Sequence, residues 1–256
     1  MRVIPYIIAL LFITTQCYGK QIIIGYSDLE FPPYIVGAAG SVNAKSPGVT
    51  VETLRLVSRE IGVDIVFKRA PWSRVLKMAK HNRVDAIFHA SFSTARAEFL
   101  EYPMKDGDVD KLKYLKRQRY FLYKPKGATI YSKGGKLYQT DGKIGATTNY
   151  SIIAKLEKQG IAVKEATSAY KGLELLSKGR INGWVGLESI TDKIINDNSS
   201  ITGIIKEKLP LSDQYSYLAF SKDFYSAHPD LAQALWARIE AFTTSKRYFE
   251  LFDKYQ

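Results

Sequence analysis

The chain has one cysteine, three histidines and no apolar run long enough to cross a membrane. A single cysteine cannot form a disulfide within the chain, and the histidines and cysteine show no metal-ligand spacing. So few histidines also leave little scope for the common Ser-His and Cys-His nucleophile arrangements. We therefore expect no metal site, no cofactor and no catalytic residue.

The one apolar run lies at the N-terminus. Arg2 precedes the apolar stretch from Val3 to Ile13, which is followed by polar residues and Gly19. This order is typical of a secretory signal, and the stretch is shorter than the roughly 20 residues of a membrane span. We predict a signal peptide over residues 1–19, cleaved near Gly19, and a soluble periplasmic protein.

Two alternatives exist for this segment. A retained membrane anchor is disfavoured because Pro5 interrupts the apolar run. A lipoprotein would keep Cys17 in acylated form, but Gln16 before it is larger than that processing pattern accepts. Cleavage after Gly19 would leave a mature chain without cysteine.

Basic residues outnumber acidic ones by 37 to 25, which gives a net charge of +12. The excess is local, because nine basic and no acidic residues lie between Lys111 and Lys136. Interleaved tyrosines make nucleic-acid binding conceivable, but export argues against such a partner. We interpret the segment as a solvated basic face that meets an acidic partner or anionic lipid.

Two segments repeat the order strand, helix, strand. The first runs from Ile61 to Phe88 and the second from Gly160 to Val185. This alternation indicates parallel strands joined by helices. Strand ends of both copies can then face a common cleft, where a ligand binds. The sequence therefore predicts an α/β protein of two similar lobes, each a mostly parallel sheet flanked by helices.

The individual elements follow from apolar periodicity and from glycine and proline positions. Strands are predicted at 21–26, 64–68, 84–88, 143–146, 161–164, 181–185 and 215–220. Helices are predicted after Pro47-Gly48 and after Pro71, and over 151–158, 170–177, 230–243 and 246–254. The polar segment from Asp106 to Lys136 is the candidate crossing between the lobes.

Motifs in a fixed order support a family resemblance. They are Phe31-Pro32-Pro33-Tyr34, Pro47-Gly48, Trp72, Arg83-Val84-Asp85-Ala86, Thr94-Ala95-Arg96, Phe99-Leu100-Glu101-Tyr102-Pro103 and Gly179-Arg180-Ile181-Asn182. In this order they resemble the extracellular solute-binding proteins of family 3, the polar amino-acid-binding components of ABC importers. The resemblance covers nearly all of the mature chain.

The resemblance implies a periplasmic-binding-protein fold of type II, with two lobes joined by two crossing segments. We expect lobe 1 at residues 20–112 plus 211–256 and lobe 2 at residues 113–210. Hinge closure of a monomer on a small-molecule solute would be the mechanism, and an ABC permease or a membrane receptor would be its partner.

Arg96 is the leading ligand-binding candidate, because a guanidinium matches the geometry of a carboxylate. In the family, the arginine at this position holds the carboxylate of the solute. The alternative is a surface ion pair with Glu98 or Glu101. Just upstream, the hydroxyls of Ser91 and Ser93 could complete the carboxylate site.

His89 could donate to or accept from a ligand, or could be a packed histidine. Phe31 and Trp72 resemble the aromatic pair that encloses the solute side chain in the family, although Trp72 could equally be a core residue. Tyr34 is a weaker candidate from the same loop as Phe31.

The segment Asn149, Tyr150 and Ser151 lies between a predicted strand and a predicted helix. Free backbone N–H groups at a helix start attract anions, so this turn could bind the other side of a carboxylate. The alternative is simple capping of the helix by Asn149 or Ser151.

Leu187 occupies the position at which the family carries an acidic residue for the ammonium group of an amino acid. Glu188 follows it and could take this role, and Asn182 replaces a customary aspartate. The expected ligand is therefore a small carboxylate-bearing solute, an amino acid or a related compound.

Two other functions compete with a binding protein for an ABC importer. Some proteins of this fold are dehydratases on small cyclic acids, and Glu188 could be the general acid that such chemistry needs. An orphan sensor could dock on a membrane receptor through the basic segment.

Overall fold

We analysed a computed structural model of the protein, which describes residues 20–37 and 45–255. The predicted signal peptide, including Cys17, lies outside these residues. Among them, no helix is both long and apolar enough to cross a membrane.

Strands and helices alternate along most of the chain. The strands are β1 (Lys20–Ser27), β2 (Val63–Ala70), β3 (Ala86–Ser91), β4 (Leu100–Glu101), β5 (Met104–Lys105), β6 (Asp108–Val109), β7 (Lys116–Pro125), β8 (Tyr131–Lys133), β9 (Lys136–Tyr138), β10 (Ile144–Thr147), β11 (Val163–Ala166), β12 (Gly183–Leu187), β13 (Ile204–Lys206) and β14 (Ser212–Ser221). The helices are α1 (Val49–Glu60), α2 (Trp72–Lys80), α3 (Thr94–Ala97), α4 (Ile152–Glu157), α5 (Ala169–Ser177), α6 (Glu188–Asp197), α7 (Lys222–Ala227), α8 (Pro229–Thr243) and α9 (Lys246–Asp253).

The sheet has two parallel parts, which we call the first and the second half. In the first half β1 lies between β2 and β3, and in the second half β10 lies between β11 and β12. The long strands β7 and β14 join the halves. They run antiparallel to each other, while β7 pairs with β12 and β14 pairs with β3. The predicted repeat therefore becomes two similar sheets connected by a pair of crossing strands.

Apolar side chains cover both faces of the first half. Ile24 packs with Leu54 of α1 and Trp236 of α8 in one buried cluster, whereas Val75 of α2 and Ile87 belong to another. A parallel sheet needs this cover on both faces, and it explains the continuous apolar run in β1. This buried core fixes the positions of the strand ends that carry the candidate site residues.

Close packing in the second half depends on a glycine. A Cβ at Gly172 of α5 would lie 2.1 Å from Cζ3 of Trp184, which is completely buried in β12. The helix can approach the sheet this closely only because position 172 has no side chain.

The predicted long elements are all present, with ends shifted by a few residues. The third strand shows the most consequential shift. It was predicted at 84–88 but runs from Ala86 to Ser91, so it includes His89 and Ser91. The sequence analysis did not predict α6, which begins at Glu188 directly after β12. The lobe boundaries 112/113 and 210/211 stay predictions.

Candidate functional site

A cavity lies where the carboxyl ends of β1, β3 and β12 meet the turn after β10. Its volume is about 60 Å³, and it adjoins a second cavity of about 350 Å³. Seven predicted site residues line it, namely Phe31, Trp72, His89, Ser91, Arg96, Tyr150 and Ser151. The other lining residues are Ser27, Leu29, Ile35, Lys116, Gln118, Tyr120, Leu187 and Ile190. Both halves therefore contribute to one site.

Arg96 connects the two halves. Its side chain is buried, and Nη1 donates to the carbonyl oxygen of Ser91 at 2.8 Å and to Oγ of Ser91 at 3.0 Å. Nη2 donates to the carbonyl oxygen of Asn149 at 2.8 Å, across the gap between the halves. The guanidinium carbon lies 5.5 Å from the ring centroid of Trp72. The planar guanidinium is thus held over an aromatic ring. The proton on Nε and one of the two protons on Nη2 are not used in these hydrogen bonds.

The surface ion pair considered as an alternative for Arg96 is wrong. Glu101 pairs instead with Lys222, and Glu98 is exposed. Ser93 does not line the cavity. Its hydroxyl accepts from the backbone N–H of Arg96 at 3.3 Å and caps the short helix α3, so it positions the arginine rather than facing the cavity.

A chain of hydroxyl groups also spans the gap. Oγ of Ser91 lies 2.7 Å from Oγ of Ser151, and Ser151 donates to Oε1 of Gln214 at 2.7 Å. Each hydroxyl has one proton, so Ser91 donates to Ser151 while it accepts from Arg96. The hydrogen bonds therefore run in one direction from Arg96 to Gln214.

The turn after β10 differs from its prediction in detail. Ser151 precedes α4 but makes no capping hydrogen bond, so the capping interpretation is wrong for this side chain. The backbone N–H of Tyr150 donates to Thr147, and the carbonyl of Asn149 accepts from Arg96. Burial raises the pKa of Tyr150 to about 12, which keeps its hydroxyl neutral. The turn contributes the carbonyl of Asn149 and the hydroxyl of Ser151 to the contact between the halves.

A β-bulge directs His89 toward the cavity. Phe88 pairs with Leu218 and Ala90 with Tyr217, so His89 is an extra residue in β3, with φ of 60°. Bulges of this kind redirect a side chain. Nε2 of His89 lies 2.9 Å from Oγ1 of Thr50. Burial and the nearby charge of Lys116 lower the pKa of His89 well below 6.5, so the ring is neutral.

The loop that carries Phe31 and Tyr34 is fixed to the start of α1. The backbone N–H groups of Val49 and Thr50 donate to carbonyls of Pro33 and Tyr34. Phe31 reaches the cavity, whereas Tyr34 does not and packs edge-on against neighbouring rings.

This approach of loop and helix depends on Gly48. Its φ is 102°, and a Cβ there would lie 2.4 Å from the carbonyl oxygen of Tyr34. Only glycine accepts both the positive φ and the close backbone contact.

Lys116 is the charged lining residue that the sequence analysis missed. It was assigned to a solvated basic face, but its side chain is only 3% exposed, and that assignment is wrong for this residue. Its Nζ lies 3.0 Å from the ring centroid of Phe31. Burial lowers its pKa well below 10.5. The signal was the alternation in β7, where Arg117 and Arg119 are exposed and Lys116 points inward.

Leu187 lines the cavity, and Glu188 does not. One oxygen of Glu188 binds Arg119 at 2.6 Å and the other binds Lys206 at 3.1 Å. Glu188 and Arg119 line an adjoining cavity, which shares Phe31, Lys116, Gln118 and Leu187 with the first. None of the lining residues is acidic. Within residues 20–37 and 45–255 there is also no group of three or more His, Cys, Asp or Glu placed to hold a metal ion.

The sequence model of the bacterial extracellular solute-binding proteins, family 3, matches residues 22–256. The chain belongs to this family. No curated protein sequence matches it.

Solved structures confirm the two-lobed fold of this solute-binding protein. A histidine kinase sensor domain with similarity to periplasmic binding proteins superposes with a TM-score of 0.70 at 16% identity, over 92% of this chain and 95% of that chain. The P235GK mutant of ArgBP from T. maritima gives 0.65 at 15% identity, over 92% and 94%. The GluR0 ligand-binding core in complex with L-glutamate gives 0.67 at 11% identity, over 93% and 99%. At these identities the likeness concerns the fold alone.

Proposed function

We propose that this solute-binding protein captures a small carboxylate-bearing solute, an amino acid or a related compound, between its two halves. The observation that carries the proposal is the buried guanidinium of Arg96, which lines the cavity and bonds to both halves. A carboxylate is the group that a guanidinium binds best, through two parallel hydrogen bonds. Arg96 would provide the main contact to the solute.

Closure of the two halves would make the conformation of the protein depend on whether a solute is bound. A solute that contacts Arg96 on one side and the turn at Tyr150 and Ser151 on the other stabilises the closed arrangement by its extra contacts. In the periplasm, an ABC importer would recognise the closed form and receive the solute. The match to the family and the similarity to an amino-acid ABC transporter binding protein support this assignment.

A thermal-shift screen of residues 20–256 against amino acids, polyamines and small carboxylates tests the proposal. A solute at one hundred times its Kd stabilises a protein by about 2.7 kcal/mol, which raises Tm by about 5 to 11 °C in a protein of this size. Arg96→Ala should abolish the shift. Arg238→Ala, an exposed arginine on α8, should retain it. A solute that shifts Arg96→Ala as much as wild type would contradict the proposed site.

A sensor is the second candidate, favoured by the similarity to a histidine kinase sensor domain. Deletion of the gene distinguishes the two. Loss of uptake of the radiolabelled solute indicates an importer, whereas normal uptake with a lost transcriptional response indicates a sensor.

We propose no catalytic step. Glu188, the residue considered as a general acid, lies outside the cavity and binds two cations. NMR spectra of the bound solute, recorded over hours with the protein, should show no new product; steady conversion would instead support a dehydratase.

A further inference from the structure

Two cationic side chains and no acidic one line the cavity. Arg96 extends from α3 in the first half, and Lys116 lies in the crossing strand β7. Both are more than nine-tenths buried. Residues 38–44, which the structure does not describe, contain no Asp or Glu in the sequence either. The cavity therefore presents an excess of positive charge at low dielectric, where charge is poorly screened.

Lys116 has no acidic partner in the described part of the chain. None of the ion pairs there involves it. Burial removes much of the hydration of this lysine, and the contact of Nζ with the ring of Phe31 replaces only part of that loss. An anion placed in the cavity would supply the rest.

Two aromatic walls of the cavity, Phe31 and Trp72, do not favour a cationic group on the solute. Nζ of Lys116 already lies over the ring of Phe31 at 3.0 Å, and the guanidinium of Arg96 lies over Trp72 at 5.5 Å. Both of these rings thus face a cation of the protein, so neither favours an ammonium group. An ammonium group in the cavity would meet two like charges and no carboxylate.

We propose that the solute is a small organic dianion without an ammonium group, such as a dicarboxylate, and that Lys116 binds its second carboxylate while Arg96 binds the first. This inference rests on the proposed function, which supplies the first carboxylate. It narrows the ligand from any carboxylate to one with two negative charges.

Solutes matched in length test the charge requirement directly. Isothermal titration calorimetry of wild type compares malonate, succinate and glutarate with propanoate, butanoate and pentanoate, and with L-aspartate and L-glutamate. Three lengths are used so that one fits the separation of the two cations. At the best length, the dicarboxylate should bind at least about 30-fold more tightly than the monocarboxylate. The amino acid with the same carboxylates should bind at least about tenfold more weakly than the dicarboxylate.

Variants then test whether Lys116 is the side chain that binds the second carboxylate of the solute. Lys116→Met keeps an unbranched side chain of similar length and removes its charge. It should reduce dicarboxylate affinity by about 30-fold and leave monocarboxylate affinity within about threefold. Lys155→Met is the matched control, because Lys155 is partly buried but lies outside this cavity. It should leave every affinity unchanged. Circular dichroism confirms that each variant is folded.

The outcomes separate this inference from the proposed function. If no carboxylate binds wild type, the proposed function fails and the inference fails with it. If monocarboxylates or amino acids bind as tightly as dicarboxylates, or if Lys116→Met retains the preference for two charges, the inference alone is wrong. Tighter binding of inorganic sulfate than of every organic acid would also overturn it.

Discussion

Replacing Ser151 by alanine should weaken the contact between the two halves. Its hydroxyl oxygen lies 2.7 Å from Oγ of Ser91 in the first half and 2.7 Å from Oε1 of Gln214 in β14. Each neutral hydrogen bond contributes about 1 kcal/mol. The loss of both should change the ratio of closed to open molecules by about 30-fold, while Arg96 continues to hold Ser91 and Asn149.

Pulsed EPR distances measure this ratio. Lys80 of α2 and Glu157 of α4 are exposed and line opposite sides of one gap, so spin labels on cysteines placed there report its width. The segment 20–256 contains no other cysteine. Ser151→Ala should move the distance distribution toward longer values in the solute-free protein.

Ser177→Ala is the matched control. Its hydroxyl donates to the carbonyl of Glu174 on the exposed surface of α5, within one half, so its loss should not affect the gap. The reference is the spin-labelled protein with both serines intact. If Ser151→Ala and Ser177→Ala both give the same distance distribution as this reference, the hydroxyl chain does not stabilise the closed arrangement and the reasoning fails.

Three further predictions concern other parts of the molecule. Arg96→Lys should weaken solute binding at least about tenfold by calorimetry, because an ammonium group cannot replace a two-pronged guanidinium; unchanged affinity would exclude Arg96 as the carboxylate site. Gly48→Ala should lower the free energy of unfolding in urea by about 2 to 4 kcal/mol, since it combines a positive φ with a clash against Tyr34; a neutral result would contradict the backbone geometry. The pKa of Lys116 is lowered in the folded protein. Between this folded-state pKa and about 10.4, the unfolded chain binds more protons than the folded protein, so stability rises with pH across that window. In urea unfolding between pH 7 and pH 10, Lys116→Met should reduce the rise of the free energy of unfolding with pH by up to about 1.4 kcal/mol per pH unit within that window; a slope equal to that of wild type would show that Lys116 is not desolvated.

The repeat of strand, helix and strand could be predicted from the sequence because it depends on the local periodicity of apolar residues. Apolar residues at helical spacing, ended by Gly62 or Gly160, predicted α1 and α4 within a few residues. Short elements such as α3 carry too few residues for a period to emerge, and their structure follows from contacts distant in sequence. The cap of Ser93 on Arg96 is one such case.

The site was predicted in part. Arg96 was found because its residue type and motif position indicate a carboxylate, but its bond to Asn149 spans 53 positions of sequence. Lys116 was missed because a lysine in a run of basic residues is usually solvated, and the direction of its side chain depends on how β7 sits between β12 and β14.

The sequence by itself determined the order of the repeated strands and helices, the family resemblance and the choice of Arg96 as ligand-binding residue, since each depends on residue type and spacing along the chain. Only the tertiary structure decided that Glu188 binds cations outside the cavity and that Lys116 lies inside it. The reason is physical: which face of a strand or helix is buried depends on packing between elements far apart in sequence, and charge at the site follows from that packing.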